Sequence, residues 1–397
     1  MEQFNELSIK LTKTLSEKIK KNNGIFFTPK SIREIIINDT LKHTNNMKHI
    51  LEPSCGSCEF VLDLDKELKN ITFDCIENNK VIYDSIKNIE TKNKINIYND
   101  DFLKHEFDLK YDLIIGNPPF LVVEKNKVTN KYFEYFTGKP NLFCLFIIKC
   151  LSLLEKNGIL SFIIPTSFLN SAYYNNLRKY IYEKFTILNI INFNNMDDFI
   201  ETKQQTIGII IKKSQKNIND NFAFEMTNLY IFSDDIKTIK TLLKNTTTLS
   251  KLNFKVKTGT IVWNQHKDDL TDDKNKPLLI YNSDIKNNKF TISEFKNTSK
   301  KRYINLDHFE TTPIILVNRG NGNSKYKFNY YLLNDQKNKY LIENHINIIY
   351  GDDKTIDDYN KIIKSFRNKK TNKFIKLFFG NNGMSKTELE NYFPIYI

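Results

Sequence analysis

The chain has 397 residues, 40% hydrophobic and 13% aromatic, ample for a packed core and for two domains. No cleavable signal pattern opens it and no apolar run is long enough to span a membrane, which points away from secreted and membrane-embedded classes. Its net charge of +13 is uneven: residues 1–220 hold 30 Lys+Arg against 27 Asp+Glu, and residues 221–397 hold 29 against 19.

That C-terminal surplus suits a polyanion such as nucleic acid. An AT-rich genome would also supply many lysines, but not the asymmetry. Five cysteines, at 55, 58, 75, 144 and 150, form an odd set without a signal, which predicts reduced thiols and a cytoplasmic protein. Cys55 and Cys58 have C-x-x-C spacing. No second ligand pair accompanies them near any of the six histidines, so no metal is expected.

Residues 1–22 are polar and read as helical, with Leu7, Ile9, Leu11, Leu15 and Ile19 loosely periodic. Gly24 to Pro29 then leads into an apolar helix, with Thr28 as N-cap and Pro29 at the first helical position. The free N–H groups of such a helix start attract a carboxylate, although capping alone accounts for the pattern.

His49 to Leu51 reads as a strand ending in Glu52-Pro53-Ser54-Cys55-Gly56-Ser57-Cys58, before a helix with Phe60, Leu62 and Leu64 as apolar positions. A strand, a small-residue turn and a helix make a nucleotide cradle. The next strand, residues 71–76, ends at Glu77, 25 residues beyond Glu52, where doubly wound folds bind a ribose diol. After a helix over 79–90, a third strand, 95–98, ends in Asn99-Asp100-Asp101-Phe102. That acid and aromatic suit the amino group and edge of an adenine. Singly, each acid reads as a solvated turn residue; their order at successive strand tips favours the nucleotide site.

Asp112 to Gly116 is a buried strand that stops in Asn117-Pro118-Pro119-Phe120. The prolines fix the backbone and end the ladder. Asn117 offers a side-chain carbonyl, Pro118 a main-chain carbonyl and Phe120 a flat apolar face. Two acceptors beside a stacking plate fit an exocyclic amine on a planar ring, such as N6 of adenine. A plain turn at a sheet edge is the alternative.

Residues 121–140 read as a loop over that site, and Asn141 opens an apolar helix to about Glu155. A strand over 158–165, a helix over 171–184 and strands near 187–193 and 205–212 complete a seven-stranded sheet. Phe199, before the last strand, is a candidate second aromatic wall. The polar run 212–217 reads as a linker, which predicts domains 1–215 and 216–397.

Beyond it lie short strands, clearest at 254–257, 260–263, 278–281 and 314–317. Asn318-Arg319-Gly320-Asn321-Gly322-Asn323 is a loop with base-reading residue types, Arg319 for guanine and Asn321 for adenine, and Lys325 and Lys327 are placed for phosphates. A solvated loop is the alternative. Ser385-Lys386-Thr387-Glu388 reads as a structural capping box.

On these motifs the chain resembles the gamma-group DNA adenine-N6 methyltransferases, type II modification methylases that include the TaqI enzyme. Phe27-Thr28-Pro29 resembles the first binding motif, Glu52 to Cys58 the E/D-P-x-x-G-x-G loop and Asn117 to Phe120 the N-P-P-Y/F motif. Cys58 stands at the loop's second glycine, and Phe120 where tyrosine is commoner. The resemblance implies an α/β fold: a Rossmann-like seven-stranded AdoMet methyltransferase domain plus a mixed, β-rich C-terminal target-recognition domain. It implies S-adenosylmethionine as cofactor, held by Thr28, Glu52, Ser54, Gly56, Glu77, Asp101, Phe102, Asn117 and Phe146. Asn117, Pro118 and Phe120 would be catalytic, with Phe120 and Phe199 stacking on a flipped adenine.

In the C-terminal part, Trp263, Asn264 and Arg319 resemble target-recognition segments. The implied partner is double-stranded DNA, met by a monomer, with a separate cognate restriction endonuclease as a further partner. Rival readings are a protein-glutamine N5 or RNA adenine-N6 methyltransferase, which face the same nitrogen problem, and a catalytically silent DNA-binding protein.

Overall fold

The computed structural model describes residues 3–193, 205–214, 220–295, 297–320, 326–379 and 383–396. It forms two compact units, Met1–Ile236 and Lys237–Ile397.

The first unit is built on a seven-stranded sheet of order β3-β2-β1-β4-β5-β7-β6. The strands are β1 (His49–Glu52), β2 (Thr72–Ile76), β3 (Lys94–Tyr98), β4 (Tyr111–Gly116), β5 (Leu154–Pro165), β6 (Thr186–Asn192) and β7 (Thr206–Lys212). Only β7 runs antiparallel to its neighbours. The central strands are buried isoleucine and leucine runs, as a sheet covered on both faces requires. Strand order reverses between β1 and β4, the point where a crevice opens in open α/β sheets.

The N-terminal residues form two helices rather than one, α1 (Glu6–Thr14) and α2 (Glu17–Asn23). Asn5 and Ser16 cap them, and Gly24 closes α2 in the left-handed conformation. Helix α3 (Lys30–Leu41) follows, with Pro29 as a cap lacking any side-chain hydrogen bond. The expected Thr28 cap is therefore corrected: the helix starts one residue later, and the Thr28 hydroxyl serves elsewhere. Helices α4 (Glu59–Glu67) and α5 (Lys80–Ile86) link β1 to β2 and β2 to β3. Helix α6 (Leu142–Leu153) is apolar almost all round and correspondingly buried, and β5 begins directly after it, earlier than its sequence suggests. Helix α7 (Asn175–Lys184) precedes β6.

A hairpin of β8 (Ala223–Met226) and β9 (Leu229–Phe232) belongs to this unit. The buried Arg178 of α7 donates to the Tyr230 carbonyl at 2.5 Å. The compact unit thus runs 21 residues beyond the boundary expected at 215, because apolar residues of the hairpin pack into the core of the first unit.

Among the described residues the second unit contains two four-stranded sheets, a two-stranded ladder of residues 285–286 and 289–290, and four helices, 236–243, 356–366, 369–378 and 386–391. Three of the four predicted strands appear. Residues 260–263 form only an isolated bridge, Ile261 with Glu343, so the strand expected there is a correction. The capping box at Ser385 is present, with Ser385 accepting from the Glu388 amide and Glu388 from the Ser385 amide. No helix among the described residues is long and apolar enough to cross a membrane.

Candidate active site

The loops after β1, β2, β3 and β4 converge on a cavity of about 780 Å³ in the first unit. Its lining includes Ser54, Gly56, Glu77, Asp101, Phe102, Asn117 and Phe146, so seven residues singled out from sequence meet in one place.

Asn117 follows the end of β4. Its side-chain nitrogen donates to the Thr28 hydroxyl at 3.2 Å and to the Phe26 carbonyl at 3.3 Å. A main-chain carbonyl only accepts, so the amide nitrogen must lie on that side. The carbonyl end, Oδ1, is buried and has no hydrogen-bond partner. The Asn117 main-chain carbonyl accepts from the Ser54 hydroxyl at 3.3 Å, which ties the β4 loop to the β1 loop. Pro118 is buried, and Phe120 is half-buried with its ring edge-on to Phe143 at 6.1 Å.

Thr28 is itself anchored. The Arg33 guanidinium, on α3, donates to the Thr28 carbonyl at 2.5 Å and pairs with Glu59 at 3.0 Å and Asp63 at 2.8 Å on α4. All three side chains are largely buried. On the other flank, Gly24 has φ +64°, and a Cβ there would lie 3.0 Å from the Pro119 Cβ. The end of α2 is thus packed directly on the Pro-Pro turn.

Glu77 sits at the tip of β2. Its carboxylate accepts from the Gly56 amide at 3.0 Å and the Asn79 amide at 2.7 Å. Burial pushes its pKa up to about 7, against the downward pull of those two amides. Gly56 adopts φ +52°, which glycine accepts freely. Cys58 holds the left-handed conformation too, φ +60°, without glycine's freedom. Glu52 is buried, its Oε2 lacks a hydrogen-bond partner, and burial raises its pKa well above the usual carboxylate range.

At the tip of β3, Asp101 accepts from the Leu103 amide at 3.0 Å. The Phe102 ring packs on Phe146 at 4.7 Å, and Lys149 donates to the Phe102 carbonyl at 2.6 Å. Residues 121–140, expected as a loop, carry two short 3-10 turns, and Val123, Lys127, Thr129 and Tyr132 reach the cavity wall.

Sequence reasoning missed the lining from Asn22 to Ile25 and from Asn78 to Lys80. The available signals were Gly24 closing a helix and Asn79, which caps α5 by accepting from the Val81 and Ile82 amides. Phe199, Asn321 and Lys325 lie outside the described residues. In the second unit Asn264 and Lys327 are exposed. Trp263 is half-buried beneath the Lys300 ammonium at 4.7 Å, and Arg319 donates to the Asn344 carbonyl at 3.0 Å.

Residues 5–199 match the Eco57I restriction-modification methylase family. The chain is similar to the modification methylase CviBIII of Paramecium bursaria Chlorella virus NC1A, 29% identical over 100% of both chains. It is similar to the type II methyltransferase M.CvrRI of Paramecium bursaria Chlorella virus XZ-6E, 29% identical over 97% of each. The type II methyltransferase M.AccI of Acinetobacter calcoaceticus is 28% identical over 55% of this chain and 42% of its own. Among solved structures, a class I S-adenosylmethionine-dependent methyltransferase from Listeria monocytogenes covers 54% of this chain and 68% of its own, with TM-score 0.43 and 18% identity.

Proposed function

We propose that this chain, a type II modification methylase by its sequence likeness, methylates N6 of an adenine in a short duplex DNA site. The observation that carries the adenine assignment is the Asn117 carboxamide, pinned by its nitrogen with its buried oxygen unpartnered.

The cavity fits S-adenosylmethionine in size and in donor chemistry. Glu77 would accept from the ribose hydroxyls, Asp101 and Phe102 would meet the adenine amino group and edge, and Phe146 would cover the ring. Ser54 and Gly56 would bound the remaining end; Thr28 and Glu52, expected to hold the cofactor, are not part of the cavity wall, and Thr28 acts behind it through Asn117. When bound, the cofactor supplies an electrophilic methyl group on a sulfonium centre.

A base inside a duplex cannot reach this cavity, so the target adenine must leave the stack, at a cost of roughly a few kcal/mol. Phe120 would stack on it, with Phe199 as a second wall. Two hydrogen bonds, to Asn117 Oδ1 and the Pro118 carbonyl, would draw N6 away from conjugation with the ring. Its lone pair then becomes a nucleophile without a covalent enzyme intermediate. Residues 1–236 would thus be catalytic, and residues 237–397 would read the target, with Trp263, Asn264, Arg319, Asn321, Lys325 and Lys327 as contact candidates.

The test is the substitution Asn117→Ala. Turnover on DNA should fall by roughly 10²–10³, with a much smaller loss of AdoMet binding. Unchanged turnover would remove the adenine assignment.

A further inference from the structure

Three cysteines that the proposed chemistry does not use meet behind the β1 loop. The sulfurs of Cys55, Cys58 and Cys75 all lie within 4.8 Å of one another, and all three residues are buried. Cys55 and Cys58 come from the loop after β1. Cys75 comes from β2, in register with Glu52. All three are free thiols. Among the described residues this is the one group of three such side chains close enough to share an ion. The sequence shows only the C-x-x-C pair, because the third sulfur arrives through strand pairing.

We propose that Cys55, Cys58 and Cys75 form a binding site for one thiophilic divalent cation of the zinc class. Sulfur ligands select such ions over magnesium or calcium. A Zn–S bond of about 2.3 Å puts sulfurs roughly 3.8 Å apart in a tetrahedral site, so the cluster needs only a small contraction. Charge decides between divalent and monovalent ions. Three thiolates around a divalent ion leave one net negative charge; around a monovalent ion they leave two, which costs more in a buried setting.

One further observation supports the site. Glu52, whose partner in the β1–β2 ladder is Cys75, has a buried Oε2 without a hydrogen-bond partner. An ion here would cross-link the loop that carries Ser54 and Gly56 to β2, and would fix the left-handed backbone at Cys58. The site is independent of which base the chain modifies.

The test is titration of the full chain, reduced and stripped with chelator, with Co²⁺ under anaerobic conditions. Thiolate-to-cobalt charge-transfer absorption should rise to an end point of one equivalent, and Zn²⁺ should displace it. Cys58→Ala and Cys75→Ala should each lose the absorption, whereas the double variant Cys144→Ala/Cys150→Ala should keep it. If Cys75→Ala does not fold by circular dichroism, Cys55→Ser replaces it. No thiolate absorption from the folded wild-type chain, or absorption unchanged in Cys58→Ala, overturns the proposal.

Discussion

The side-chain nitrogen of Asn117 donates to the Thr28 hydroxyl across 3.2 Å, and this contact helps decide which end of the carboxamide faces the cavity. Thr28→Val keeps the shape and removes the acceptor, leaving the Phe26 carbonyl alone to orient the group. One neutral hydrogen bond is worth about 1 kcal/mol, so turnover should fall about 5- to 10-fold while AdoMet affinity changes little. Single-turnover methylation and equilibrium AdoMet binding, run side by side, check this.

Gly24 touches the same turn from the other side. Gly24→Ala places a Cβ 3.0 Å from the Pro119 Cβ and asks a non-glycine residue to hold φ +64°. The expected cost is about 1 kcal/mol of stability together with a displaced Pro-Pro turn. Turnover should therefore drop more than denaturation midpoints imply. A stability loss with unaltered turnover would separate Gly24 from the working of the Asn117–Phe120 turn.

Glu77 carries a pH signature. Its folded pKa of about 7 lies above the ordinary 4.5, so it contributes stability fully below pH 4.5 that is lost as the pH rises through 7. Binding of a ribose diol needs the ionised form as acceptor, and so runs the opposite way. AdoMet affinity should rise roughly tenfold from pH 6 to pH 8 as the competent fraction grows. Glu77→Gln should flatten both dependences, read by calorimetry across that range.

Arg33 is a stability residue with a functional reach. It is buried between Glu59 and Asp63 and holds the Thr28 carbonyl. Removing one partner of such a network leaves buried carboxylates uncompensated, so Arg33→Met should cost about 3–5 kcal/mol by urea denaturation. Adding Glu59→Gln should recover part of that loss.

Phe120 and tyrosine share the flat ring that the proposed stacking uses. Phe120→Tyr should keep activity. Phe120→Ala should lose about 1–3 kcal/mol of base stacking, seen as weaker 2-aminopurine fluorescence change in a substrate carrying that probe at the target.

The strand tips were legible because chemistry there is written locally. Glu52, Glu77, Asp101 and Asn117 each follow an apolar run, and parallel pairing brings them to one edge. Pairing partners distant in sequence were not legible. Cys75 joins Cys55 and Cys58 only through the β1–β2 register, and Gly24 meets Pro119 only after α2 folds over the cavity. The hairpin 223–232 lies beyond the boundary read at 215 because the polar run 212–217 resembles a linker, while the hairpin's apolar residues pack with the first unit. Thr28 was singled out for capping, yet its hydroxyl is engaged by Asn117. Local propensity does not separate two uses of one hydroxyl.

The central claim is methyl transfer to adenine N6 in DNA. The direct measurement is incubation of the chain with labelled AdoMet and unmethylated DNA of mixed sequence, followed by digestion to nucleosides and single-molecule sequencing. The expected result is label in N6-methyladenine alone, confined to one short motif. Label in cytosine, or none in DNA from a chain that demonstrably binds AdoMet, would contradict it.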